Sequence, residues 1–150
     1  MLVFDAYPLA AVRLGELAGE TSGRVLADAI ALGDASVSVT NLAEVVDLVA
    51  RLAAADPADV LDTVELWVDA GLNVRPLSWE TAGRAASLRA VRYHRTRCAV
   101  SLSDCVAVAL AHELGATLVT SDQPMVAVAV AAGVRVNPIA DSRGVTPVIP

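Results

Sequence analysis

A chain of 150 residues, 55% of them apolar, is long enough to bury one core and too apolar to remain disordered. Its longest uncharged apolar stretch, 125–134, falls well short of the roughly 18 residues a membrane helix needs. No positive segment precedes an apolar one after Met1, so neither a span nor a signal peptide is expected. The net charge of −6 argues against a nucleic-acid partner for the chain as a whole. The complete absence of lysine excludes P-loop and Schiff-base chemistry. Cys98 and Cys105 form no CxxC pair, so they read as small buried residues in a reducing compartment, and the expected location is cytoplasmic.

In chain order, residues 1–4 predict a short buried strand ending at Asp5, and Pro8 permits a helix to about Leu17, loosened by Gly19. A second helix is predicted over 22–32, stopped by Gly33, and a strand over 36–39. Thr40 and Asn41 are expected to cap a helix running to about Ala54, and Asp56-Pro57 to open one over 58–70. A strand over 73–77 precedes a helix over 79–95 that Ser78 caps. Ser101 or Ser103 caps a helix to about Leu114. A strand over 117–120 leads to Asp122-Gln123-Pro124 at the start of a helix that ends at Gly133, and 134–137 is the last strand. This alternation predicts an α/β domain over 1–139 with a central parallel sheet of four to five short strands flanked by helices. The Pro-rich segment 140–150 is expected to be a surface strap or a mobile tail. Aromatic residues make up 3% of the chain, so Ala, Val and Leu must fill the core.

Charge is distributed unevenly. Between Thr81 and Ser103 there is no Asp or Glu, and Arg84, Arg89, Arg92, Arg95 and Arg97 put +5 on that segment, leaving −11 for the rest. A helix would set Arg89, Arg92 and Arg95 along one drifting face. Such a stripe either pairs with acids elsewhere as a solvated face or grips a polyanion through the guanidinium forks.

Four acids stand apart from the solvated ones at Asp47, Asp59, Asp62, Glu65 and Asp69. Asp5 follows the first strand, Glu44 lies just after the second, Asp104 opens a wholly apolar helix, and Asp122 follows the 117–120 strand. All fall at the carboxyl edge of the predicted sheet, where α/β folds bind ligands. Each also has a structural explanation. Asn41–Glu44 and Ser101–Asp104 have capping-box spacing, and Asp5 and Asp122 suit helix caps. If the four converge, their repulsion calls for a hard divalent cation such as Mg²⁺ rather than zinc. Such an ion can activate water against a phosphodiester.

The stretches Met-Leu-Val-Phe-Asp5, Asn41-Leu-Ala-Glu44, Ser101-Leu-Ser-Asp104-Cys-Val-Ala-Val-Ala-Leu-Ala and Leu118-Val-Thr-Ser-Asp122, in this order, resemble the PIN-domain family. Within it they are similar to the VapC-like ribonuclease toxins of type II toxin–antitoxin pairs. The resemblance implies a hydrolase of RNA phosphodiesters that uses metal-activated water. Asp5, Glu44, Asp104 and Asp122 would hold Mg²⁺ or Mn²⁺, and Thr120 or Ser121 would be a supporting hydroxyl. It further implies a homodimer and a small antitoxin that plugs the acidic site with a basic side chain. Arg89, Arg92 and Arg95 would hold the RNA. Relatives often carry Ser or Thr within two residues of the first acid, whereas here Ala6-Tyr7 follow Asp5. The alternative is a catalytically degenerate module that binds RNA or protein. A dehalogenase-type phosphatase would need Asp where Tyr7 stands, and no GxGxxG suggests a dinucleotide site.

Overall fold

The computed structural model describes residues 1–150, the side chain of Leu17 aside. Five parallel strands, β1 (Leu2–Phe4), β2 (Ala35–Ser38), β3 (Asn73–Arg75), β4 (Thr117–Thr120) and β5 (Arg135–Pro138), lie in the order β3-β2-β1-β4-β5. Register pairs Leu2 with both Ala35 and Thr117. The chain works outward from β1 to β2 and β3, then crosses back to β4 on the other side of β1. That reversal opens a crevice beyond the carboxyl ends of β1 and β4.

Seven helices cover the two faces: α1 (Ala6–Leu14), α2 (Leu17–Ala31), α3 (Val39–Ala53), α4 (Pro57–Ala70), α5 (Trp79–Arg92), α6 (Leu102–Glu113) and α7 (Gln123–Ala131). Alternate strand residues enter opposite cores, as the pleat requires. Val3 and Leu118 pack with α5, α6 and α7, while Phe4 and Val119 pack with α1–α4. Cys105 to Ala111 of α6 are all buried, so this helix is surrounded on every side and shows no amphipathic pattern. Among the described residues no helix is long and apolar enough to cross a membrane.

Several element boundaries differ from those expected. Helix α1 starts at Ala6 because Asp5 caps it, and it ends before Gly15, which is left-handed at φ 66°. Gly19 does not loosen that helix. It lies inside α2, which begins at Leu17 rather than at residue 22, and a Cβ there would sit 2.3 Å from the Ala11 carbonyl oxygen. The missing side chain lets α1 and α2 approach each other. Ser38, not Thr40-Asn41, caps α3, which frees the Asn41 side chain for the interior. Helix α5 ends at Arg92, three residues early, where Tyr93 turns extended and a His94–Cys98 bridge closes a short hairpin. His94 Nδ1 accepts from the backbone N–H groups of Thr96 and Arg97 within it, each at 3.3 Å.

The C-terminal segment is pinned as a strap. Ile139 is buried and donates its N–H to the Thr120 carbonyl at 3.0 Å. Asp141 Oδ1 accepts from the amides of Arg143 (2.9 Å) and Val145 (3.0 Å). The Gln123 side chain pairs with both backbone groups of Val148, at 2.9 and 2.7 Å.

Candidate functional site

Asp5 is carried to the crevice by β1 and is 5% exposed. Its Oδ1 accepts from the Ala6 amide at 2.7 Å and from Asn41 Nδ2 at 3.3 Å, and its Oδ2 accepts from Thr120 Oγ1 at 2.9 Å. Asn41 is oriented in turn by Ser38, whose hydroxyl donates to Asn41 Oδ1 and accepts from the Asn41 amide at 3.1 Å. Thr120 is fully buried, and its Oγ1 also accepts from the Asp122 amide at 3.1 Å. Asp5 is therefore held from three sides by groups on β1/α1, α3 and β4. The Asn41 contribution is absent from the sequence reading, which made it a helix cap. The spacing Ser38-x-x-Asn41 is the signal that could have placed the cap three residues earlier.

Two of the other three acids are also held by local folding. Asp104 and Ser101 form the capping box of α6: the Ser101 amide donates to Asp104 Oδ2 at 2.6 Å, and Ser101 Oγ accepts from the Asp104 amide at 3.0 Å. Asp122 caps α7 by accepting from the Met125 amide at 2.6 Å. Each of these carboxylates keeps its second oxygen free of hydrogen bonds among the described residues. Glu44 belongs to no capping box, contrary to its spacing, because α3 is capped by Ser38. It lies half-buried on the second turn, and its Oε2 is buried with no hydrogen-bond partner, as is the Ser103 hydroxyl.

The four charges act on one another. Burial pushes the Asp5 carboxyl up to about 7, and the Asp104 charge is the next largest cause, with Glu44 adding to it. Burial also raises Glu44 and Asp122, and Asp104 adds to both. Asp104 is thus the common neighbour of the other three. None of the groups acting on Asp5 is basic. Within the cluster only Glu44 feels a cation, Arg51, which is itself paired with Asp47, so the neutralisation is slight and an external cation would complete it. Burial pushes the adjacent Cys105 thiol up to about 11, again with Asp104 contributing, so it is a poor nucleophile.

The donor set, all carboxylate and hydroxyl oxygen, fits a hard divalent cation, and the buried Glu44 Oε2, with the Ser103 hydroxyl as the only hydrogen-bonding group acting on its carboxyl, is an oxygen such an ion could take. The setting of the acids is open, however. Among the described residues no three His, Cys, Asp or Glu side chains are gathered closely enough to hold one ion. Water, which Mg²⁺ retains readily, would complete such a shell.

The expected arginine stripe is not continuous. Arg89 is half-buried, donates Nε to the Val100 carbonyl at 3.3 Å and lies 4.4 Å from the Tyr93 ring centroid. It ties α5 to the chain leading into α6. Arg92 ends the helix, and Arg95 lies beyond it in the hairpin, both exposed. Of the two expected hydroxyls, Thr120 bonds Asp5, and Ser121 lies farther along the chain. It lines a cleft beside the acids, together with Tyr7 and Asp122.

A parallel sheet in this order, with an acid at the end of β1 and another opening α6, accompanies a match to the PIN-domain family model over residues 4–131. The chain belongs to the PIN-domain family. PIN domains are generally nucleases, commonly metal-dependent and acting on RNA, so the fold is of nuclease type. No curated protein matches the chain.

Proposed function

We propose that this PIN domain is a metal-dependent endoribonuclease. The observation that carries the reading is the placement of Asp5, Asp104 and Asp122 at the carboxyl edge of a PIN-domain sheet, with Asp104 and Asp122 each keeping one carboxylate oxygen free of hydrogen bonds. Asp5 and Asp104 would hold the principal Mg²⁺ or Mn²⁺, and Glu44 and Asp122 a second ion or the attacking water. A bound divalent cation would supply positive charge to the phosphoryl oxygens and acidify water. The chain's own work is to fix oxygens in place. Thr120 and Asn41 hold the Asp5 carboxyl against rotation, and the capping box with Ser101 does the same for Asp104. Arg92 and Arg95, exposed at the end of α5 and on the hairpin, would draw in the RNA through its phosphates.

The likeness to VapC-like toxins supports the finer reading of a toxin that forms a homodimer and is silenced by a small antitoxin. A basic side chain of that antitoxin would neutralise the four acids. Asp5→Ala and Asp104→Ala are each expected to lower divalent-dependent RNA cleavage on the order of 10³-fold, with the circular dichroism spectrum unchanged. Wild-type cleavage in both variants overturns the assignment. A second reading, a degenerate module that binds RNA or protein, is favoured by the open setting of the acids. It predicts RNA binding that EDTA leaves intact and no cleavage.

A further inference from the structure

Beside the acids, the C-terminal strap encloses a cleft of about 520 Å³ lined by Tyr7, Ser121, Asp122, Pro124, Arg143 and Pro147, among others. We propose that this cleft is a subsite for one nucleotide of a single-stranded RNA, the one next to the phosphate held at the carboxylates. The proposal rests on the nuclease reading and adds to it the place where a base is received.

Continuity comes first. Asp122 belongs to both the acid cluster and the cleft wall, and Tyr7 lies two residues beyond Asp5 on the first turn of α1. A strand whose phosphate reaches the acids has its next nucleotide at the cleft. The volume falls within the range of small-ligand pockets, about 300–1,000 Å³.

The lining chemistry suits a base and its phosphate. Tyr7 is a half-buried aromatic whose hydroxyl donates to Glu16. Burial and that bond push the phenol up to about 12, so the ring stays neutral and its position is set before any ligand arrives. An aromatic face already ordered receives an unstacked base at little further cost in side-chain entropy. Pro124, Val145 and the buried Pro147 add apolar wall. Arg143 donates Nε and Nη2 to Asp141 Oδ2 at 3.0 and 2.6 Å, which orients the guanidinium and leaves Nη1 without a hydrogen bond among the described residues. A guanidinium held in this way can bind a phosphate oxygen. The strap is ordered for this role by the Gln123–Val148 pair and the Asp141 turn.

The test combines crosslinking with cleavage. A short single-stranded oligoribonucleotide carrying 4-thiouridine at each position in turn is irradiated with the wild-type protein, and modified peptides are mapped by mass spectrometry. Crosslinks are expected on Tyr7 or within 141–147. In parallel, fluorescence anisotropy of the same RNA in EDTA should show about tenfold weaker binding for Tyr7→Ala, recovered by Tyr7→Phe, which keeps the ring. Crosslinks confined to other segments overturn the subsite, whatever the cleavage result. Cleavage that depends on Asp104 with no crosslink in the cleft sinks the subsite and leaves the nuclease standing. Crosslinks in the cleft without any cleavage do the reverse. A peptide partner instead of RNA would show as the absence of RNA crosslinks both at Tyr7 and within 141–147, which also overturns the proposal.

Discussion

The two ends of the sheet obey different rules. At the amino end every helix-to-strand turn is closed in the same way. The amide of Ala116 bonds to the Ala111 carbonyl at 2.9 Å, and that of Val134 to the Ala129 carbonyl at 2.9 Å. Asp34 and Leu72 repeat the bond at 2.8 Å each. A left-handed glycine, such as Gly115 at φ 59°, makes each reversal possible, and the freed helix carbonyls find partners. At the carboxyl end the acids repel one another, Glu44 Oε2 has no partner, and Asp5 is buried with a strongly raised carboxyl. One end is arranged for stability. The other departs from the pairing rules of buried groups, and such departures concentrate where proteins act on ligands.

The largest effect that would break this contrast is on Asp5. Its folded-state value of about 7 lies above the ordinary 3.8, so the protonated carboxyl favours the fold. That stability is fully present below about pH 4 and is lost as pH rises through about 7. Asp5→Asn abolishes the loss: its Oδ1 still accepts from Ala6 and Asn41, and its Nδ2 can donate to Thr120 Oγ1. The variant should exceed the metal-free wild type at pH 8 by an amount on the order of a few kcal/mol, the gain shrinking toward pH 4, while cleavage is lost. Thermal melts across that range check this, and a pH-independent difference would mean that the Asp5 charge is not under strain.

A smaller effect of opposite sign is expected at the amino end. Gly115→Ala meets no atom within 4 Å, so its cost is that of the left-handed backbone alone, about 1–2 kcal/mol. It should lower the melting temperature by several degrees at every pH and leave cleavage unchanged. Smallest of all, Arg95→Ala should reduce the slope of log affinity for single-stranded RNA against log salt by about 0.7, the share of one phosphate contact. An unchanged slope would remove the hairpin from the RNA path.

Much of this was visible in the sequence where local rules govern. Ser101 and Asp104 show their capping box directly, and Asp122 before Gln123-Pro124 shows the N-cap of α7, so the sequence places both acids on the right turns. The alternation of strands and helices gave the parallel sheet. Asn41 was misread because its role depends on Asp5, thirty-six positions away, while its local context suggests a cap. Gly19 reads as a weak point because its close approach to the Ala11 carbonyl of α1 is a contact between helices that local pattern does not encode. Arg95 was extrapolated along a helix that stops once the hairpin offers His94 Nδ1 as an acceptor. The cleft at Tyr7 needs the strap folded back from 139–148, a contact that no spacing encodes.

Helix α6, sealed from Cys105 to Ala111, has one more consequence. The amides of its buried stretch are expected to exchange with deuterium among the slowest in the domain, which native-state hydrogen exchange would show. The carboxylate at its first turn therefore rides on a slow-exchanging part of the molecule. Warming should leave that group in place until the cooperative melt, so that loss of function and loss of fold arrive together.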